Sequence, residues 1–530
     1  MAWPELDVAF VIYALSIWRS ALPSKTSKLR HILRTIARAL APLEEALASH
    51  RVESACRVAS QKKPAFAACV TALLRWPDVA QPQQFLLGYP IIGDLDHSGV
   101  FRFVNPKEAK DVDEWLREGP DAIARIMASK PPLHFEDIFA TTVEEQEKGF
   151  CSPFLTKAQV DAVFGPGRWR PLERFLIKQA DGKKRMIDNA RKTLHNSCTS
   201  LHETISTTNI DFVANVASDV LRAFHLKSSP LDDPDLHWLD LRVGTDDLPD
   251  AYRALPVAPP HQAASIIAIF ILGEGWAFTL LWGLAYGLES AVVAFNRFPQ
   301  LGIAISRRMV LSMCSSYFDD ELSLEMVRDH DSSQRGLQLV FTLLGAPPQP
   351  SKRFLPTANR HYLGASLHCG DFVSDLSIMV QPKFSTSLKV QAKLHRAIET
   401  RTLDSDEAGK LRGDLNWMFS MCAGHLGRFA GPVLQLHQSA DAFCLSEPSL
   451  RTLQLLLGAV THATPRVISL VPDGCNLTRI YSDASFENGE LRLGWVIFPP
   501  SGRREVPVLY PLQFWQVGRN VHNRFSPARA

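Results

Sequence analysis

A chain of 530 residues with 46% hydrophobic and 21% charged side chains can bury several cores, which excludes a disordered protein. Its formal charge of +2 provides no bulk basic field, so any nucleic-acid contact must come from local patches. The 9 cysteines include no Cys-x-x-Cys pair, which argues against a zinc knuckle or disulfide framework and for an intracellular setting, cytoplasmic or nuclear and not secreted.

Residues 1–130 carry helical patterns and a loop from Asp94 to Gly99, but no motif with readable chemistry. The apolar run Val8–Leu15 is preceded by Glu5 and Asp7 in place of cations, which argues against a signal peptide. Arg19, Lys25, Lys28, Arg30, Arg34 and Arg38 fall on a predicted helix, as a phosphate-binding stripe or as a solvated face. Phe175–Asp188 then reads as two strands joined by an Asp-Gly turn. Its tip, with Lys183, Lys184 and Arg185, is either a solvated hairpin or a mobile element that neutralises a triphosphate.

The segment Leu239–Arg253 begins apolar and runs into acids, placing Asp247 at a strand end and Tyr252 at the start of the following turn. Ala263–Leu272 is apolar and β-branched, Gly273-Glu274-Gly275 breaks it, and Trp276–Leu281 resumes, as in a hairpin of buried strands. A membrane span is the rival reading, but Glu274, Glu289 and the glycines interrupt the roughly 20 apolar residues a span needs. Tyr286-Gly287 next opens an amphipathic helix.

Tyr317-Phe318-Asp319-Asp320 puts adjacent carboxylates after an aromatic pair. Two-metal nucleotidyl transfer needs such convergence, because ions roughly 3.5–4 Å apart clamp the attacking and leaving oxygens. Magnesium suits it as a hard cation that takes carboxylate and phosphate oxygens. The four letters alone also suit an ordinary acidic turn. Joined to Asp247, with room between for two strands and a helix, the pattern becomes specific. Side chains alternate along a strand, so Asp319 is the better-supported ligand and Asp320 the lesser.

Downstream, a helix ends at Gly345 and a proline-rich turn brings Lys352 to the entrance of another strand. His361 and His368 lack a ligand cluster and read as ordinary polar residues. Residues 383–472 are helical by pattern, with Val390, Leu394 and Ile398 at four-residue intervals, in a thumb-like unit or a generic bundle. Arg479–Ser485 and Leu493–Phe498 read as two strands around a turn.

With these motifs in this order the chain resembles a retrotransposon reverse transcriptase, leaning toward the DIRS-like branch. The resemblance implies an α+β fold, a right-hand polymerase with an antiparallel palm sheet. An N-terminal helical region of unknown role spans 1–130, fingers 131–230, palm 231–370, a helical thumb or connection 371–472, and a partial ribonuclease H-like segment 473–530. The implied activity is RNA-directed DNA polymerase, with two magnesium ions, or manganese, held by Asp247, Asp319 and Asp320. Its implied partners are an RNA or DNA template with primer and deoxynucleoside triphosphates, with no membrane; oligomeric state stays open.

The resemblance also assigns roles. Lys183, Arg185, Tyr252, Gly287 and Lys352 would bind nucleotide, Tyr252 as a steric gate against the 2′-hydroxyl and Lys352 beside the leaving pyrophosphate. Tyr362, Leu363 and Gly364 would grip the primer, and Asp483 is a vestigial ribonuclease H ligand. Two departures stand out: Ala285-Tyr286 replaces the family's Pro-Phe, and no Asp or Glu follows Glu505, so the last domain looks truncated and no ribonuclease H activity is expected. The rival is a catalytically decayed retroelement fragment that binds nucleic acid.

Overall fold

The computed structural model describes residues 4–18, 22–178, 182, 184–223, 234–329, 332–370, 372–421, 430–440, 443–470, 479–487 and 490–498. Lys183, Arg19 and Asp181 lie outside the described residues. Residues 1–470 form one compact unit and 471–530 a second.

The first unit opens with helices α1 (Pro4–Trp18), α2 (Leu22–Ala48), α3 (Glu53–Val58), α4 (Pro64–Leu74) and α5 (Gln81–Leu87). Strands β1 (Gly93–Leu95) and β2 (Arg102–Phe103) and helices α6 (Val112–Arg117), α7 (Gly119–Ala128), α8 (Phe135–Glu147) and α9 (Lys157–Phe164) follow. Helix α2 buries Leu22, Thr26 and Leu33. Its cations are not one stripe: Arg30 donates to Ser332 at 2.8 and 3.1 Å, whereas Lys28, Arg34 and Arg38 face solvent.

The basic hairpin forms as β3 (Pro171–Lys178) and β4 (Lys184–Asp188), paired antiparallel. Strands β5 (Thr199–Leu201) and β6 (Glu203–Thr204), helix α10 (Asp211–Ala223) and strand β7 (Leu241–Asp247) come next. The apolar run becomes the antiparallel pair β8 (Ile266–Ile271) and β9 (Gly275–Leu280), which joins the basic hairpin in the sheet order β4-β3-β8-β9. Both faces of β8 carry branched residues, so it suits a strand covered on each side. Among the described residues no helix is long and apolar enough to cross a membrane.

Helix α11 (Glu289–Val310) buries Ala291, Ala294, Phe295, Phe298, Leu301 and Ile305 along a helical stripe. Each large side chain contributes about 1.5–3 kcal/mol by leaving water. Strands β10 (Met313–Tyr317) and β11 (Asp320–Met326), helix α12 (Ser332–Leu343) and strand β12 (Phe354–Thr357) complete an antiparallel sheet of order β10-β11-β7-β12. Helices α11 and α12 approach closely: a Cβ on Gly302 would come within 2.5 Å of the Phe341 ring.

Strands β13 (Asn359–Tyr362) and β14 (Ala365–His368), helix α13 (Phe372–Asp375) and strand β15 (Ser377–Pro382) lead to helices α14 (Phe384–Thr400), α15 (Ser405–Met421), α16 (Ala430–Ser439) and α17 (Glu447–Thr461), then β16 (Arg466–Ser469). The four helices enclose a core of their own that includes Val390, Leu394, Leu411, Leu415, Leu453 and Leu456, while Ile398 is only partly buried. In the second unit β17 (Arg479–Glu487) and β18 (Glu490–Phe498) pair antiparallel, with Asp483 opposite Gly494.

Candidate active site

The register of β7 against β11 builds the site. Strand β7 ends at Asp247, whose cross-strand partner is Asp320, and β10 pairs back so that Tyr317 also faces Asp320. Residues directly opposite in an antiparallel pair project from the same face, so Asp247 and Asp320 share one. Phe318 and Asp319 form the two-residue turn, with φ +56° at Phe318 alone of the two, the pattern of a II′ hairpin. A bulky aromatic seldom adopts that conformation, and such local strain clusters at functional sites. The expected alternation between Asp319 and Asp320 therefore does not apply, because Asp319 lies in the turn and not on a strand. Its main-chain oxygen accepts from Leu248 N at 2.9 Å, which ties the turn to the end of β7.

Burial and the neighbouring Asp247 raise the Asp319 carboxyl above the usual carboxylate range, while Lys352 and Arg185 pull it back. Asp320 is pushed up to about 6, by desolvation first and then by Asp319 and Asp247, although the residue keeps a solvent-facing edge. Lys352 is exposed and sets its Nζ 2.9 Å from Asp247 Oδ2. Asp247, Asp319, Lys352, Asp250 and Tyr286 line a cleft of about 730 Å³ together with the turn Pro347–Pro350, whose Gln349 N donates to Asp247 O at 2.9 Å. Carboxylate oxygens crowded until their pKa values rise are the donors a hard divalent cation takes. Among the described residues, no three His, Cys, Asp or Glu side chains are gathered to hold a metal ion as they stand.

Behind this face a second acidic pair is buried. Asp246 accepts from Gln334 at 2.9 Å and Gln338 at 2.8 Å, both on α12, and burial raises its pKa. Its cross-strand partner Glu321 is fully buried, and neither carboxyl oxygen has a hydrogen-bond partner. Burial, with Asp246 and then Asp319 and Asp320 nearby, drives Glu321 well above the carboxylate range.

Tyr252 stands behind Tyr286, the aromatic ring that lines the cleft: their centroids are 5.3 Å apart, edge to face, and Phe295 closes the other side of Tyr252 at 5.0 Å. Gly287 has φ +122°, and a Cβ there would lie 2.1 Å from Asp188 O. Asp188 N donates to Tyr286 O at 2.8 Å, so the glycine turn is clipped to the root of the basic hairpin. Arg185 is exposed on that hairpin.

The sequence reading missed what holds these parts together. Asp188, Glu145, Arg174 and Arg253 form a buried network of two acids and two arginines. Each of these residues reads in the sequence as a solvent-exposed charge; the one local signal is that Arg253 and Asp188 flank motifs already singled out.

The Tyr362-Leu363-Gly364 hairpin turns with φ +46° at Leu363 and +78° at Gly364. Tyr362 is buried, its Oη 3.5 Å from Asp320 O, and a Cβ on Gly364 would meet Trp417 Nε1 of α15 at 2.9 Å. Beside it runs a groove of about 780 Å³ lined in part by Arg360, His361, His368, Lys383 and Phe384. His361 bonds Ser366 at 2.8 Å and His368 bonds Asn359 at 3.0 Å, in keeping with ordinary polar roles.

No protein-family model matches the chain, and no curated protein matches it. Two solved structures are similar over 83% of the chain at 13% identity and a TM-score of 0.43. One is the foamy viral protease-reverse transcriptase dRH in complex with ds DNA, of which the match covers 66%, just under two thirds. The other is the foamy viral protease-reverse transcriptase in complex with dsDNA, of which it covers 79%.

Proposed function

We propose that the chain is an RNA-directed DNA polymerase of a retroelement, of the right-hand type with fingers, palm and thumb. The observation that carries this reading is the β7–β11 register, which sets Asp247 across from Asp320 with Asp319 in the adjoining turn, Asp247 and Asp319 lining an open cleft. RNA as template comes from the motif resemblance. In the reaction a primer 3′-oxygen attacks the α-phosphorus of a deoxynucleoside triphosphate, the bond to the β-phosphate oxygen breaks, and pyrophosphate leaves as the 3′-hydroxyl gives up its proton.

Asp247, Asp319 and Asp320 would hold two magnesium ions, or manganese, once Lys352 swings off Asp247. The ions supply Lewis-acid stabilisation of the attacking and leaving oxygens. Arg185 and Lys183 neutralise the triphosphate, and Gly287 lets the backbone approach it. Tyr252 excludes a ribose 2′-hydroxyl by holding the cleft wall, and Lys352 meets the departing pyrophosphate. Tyr362, Leu363 and Gly364 hold the primer, with the Arg360–Lys383 groove taking the adjoining duplex by its phosphates.

Extension of oligo(dT) on poly(rA) with magnesium tests the reading. The unaltered chain should extend the primer and Asp319→Asn should not; equal extension by both overturns the assignment. A second reading, a decayed element that binds nucleic acid without catalysis, is favoured by the Lys352–Asp247 ion pair. Retarded migration of primer–template without extension by the unaltered chain would select it. No ribonuclease H activity is proposed, and cleavage of a defined hybrid that is lost in Asp483→Asn would contradict that.

A further inference from the structure

We infer that Arg253 is a positioning residue that sets nucleotide affinity and sugar selectivity, by locking the two tyrosines of the cleft wall to the root of the basic hairpin. The inference rests on the polymerase reading. Arg253 sits on the turn Ala251–Ala254, immediately after Tyr252. Its guanidinium makes three directed contacts to three different segments: Nε to Glu145 Oε1 at 2.7 Å, Nη2 to Asp188 Oδ2 at 2.9 Å, and Nη1 to Leu284 O at 2.8 Å. Arg174 mirrors it from β3, with Nε on Asp188 Oδ1 at 2.8 Å, Nη2 against Glu145 Oε2 at 2.6 Å and Nη1 on Thr142 at 2.8 Å. Two positive and two negative charges thus close a neutral, buried ring.

The ring reaches the cleft through two short links. Asp188 Oδ2 also accepts from Tyr286 N at 3.0 Å, and the Arg253 guanidinium lies over the Tyr286 ring with 4.5 Å between its carbon and the centroid. Tyr286 is therefore held at its backbone by the acid, on its face by the arginine and by a perpendicular ring contact with Tyr252. Tyr286 cannot shift without disturbing a planar fork that only arginine supplies, and Tyr252 packs on Tyr286. Where a sugar is discriminated by sterics, a displacement of about 1 Å in the wall matters, since misplacement of that size costs up to about a hundredfold in rate. Structural duty alone would predict lower stability with unchanged selectivity.

The test compares Arg253→Lys with Arg297→Lys. Arg297 makes a buried bidentate pair with Asp78, 2.7 Å at both contacts, touches neither tyrosine, and serves as the control for generic loss of a buried fork. Steady-state incorporation of dTTP and UTP on poly(rA)–oligo(dT) is measured for both variants and the unaltered chain, alongside thermal unfolding. Arg253→Lys should raise KM for dTTP and lower the dTTP-over-UTP preference, each by about tenfold, with kcat changed by less than about threefold. Arg297→Lys should leave KM and preference unchanged at a similar fall in Tm. If Arg253→Lys keeps the preference, or both variants move it equally, the inference fails while the polymerase reading stands. If the unaltered chain extends no primer, both fall. Should Arg253→Lys fail to fold, Tyr286→Leu, which removes the ring that the arginine covers but leaves the ion ring whole, must lower the preference; an unchanged preference there overturns the inference.

Discussion

Lys352 Nζ lies 2.9 Å from Asp247 Oδ2 across the mouth of the cleft, and it also offsets the raised pKa values of Asp319 and Asp320. Its side chain is 56% exposed, so the pair is screened and worth at most about 1 kcal/mol. An ammonium held that weakly is an exchangeable counter-charge for a carboxylate cluster. Lys352→Met should therefore strengthen Mn²⁺ binding to the free chain by a few-fold, up to about fivefold from the energy of the lost pair. Titration calorimetry with Mn²⁺ checks it, and weaker binding in the variant would contradict the competition.

Asp319 ties the turn to the end of β7 through its main-chain oxygen, which Leu248 N holds at 2.9 Å. Asp319→Asn keeps that bond and removes a charge that is repelled by Asp247. The variant should unfold at the same temperature or slightly higher while primer extension falls by about a hundredfold to a thousandfold, the scale on which charge-stabilising groups act. Differential scanning calorimetry beside the extension assay separates the two effects. A lower Tm would mean that the carboxylate is structural.

How much of this was legible in the sequence depends on how local each signal is. The β8–β9 hairpin, the Tyr317–Asp320 tip and the Tyr362–Gly364 hairpin show in a few adjacent letters, through β-branched runs and turn residues. The Glu145–Arg174–Asp188–Arg253 ring does not, because its members are spread over a hundred-odd positions and charged residues are usually exposed. Strand β7 shows the limit within one motif. Asp246 and Asp247 look equivalent as letters, yet the pleat turns the first onto Gln334 and Gln338 and the second to the cleft.

Gly287 is required for two separate reasons: its φ of +122° and the 2.1 Å that a Cβ would leave to Asp188 O. Backbone sits on the other side of that contact, so no side-chain rotation relieves it. Gly287→Ala should cost about 2–4 kcal/mol, on the scale of backbone strain combined with overpacking. It should also pull the Tyr286 turn away from β4. Urea denaturation measures the first effect, and a raised KM for the nucleotide in the surviving folded protein measures the second. A variant as stable as the unaltered chain would show that the turn is looser than its geometry indicates.

Lys62 gives the fold a pH dependence outside the cleft. It is 3% exposed, its Nζ lies 3.8 Å from the centroid of the Phe298 ring, and burial lowers its pKa to about 7. In the unfolded chain it titrates near 10.4. Between these values the unfolded state binds more protons than the folded one, so stability rises with pH, by up to about 1.4 kcal/mol per unit where the difference approaches one proton. The gain begins near pH 7 and levels off near pH 10. Lys62→Met keeps the length of the side chain without the charge, and should flatten this slope while stabilising the chain most at and below pH 7. Urea midpoints taken between pH 6 and pH 10 decide it: parallel curves for the two proteins would mean that another group carries the pH dependence.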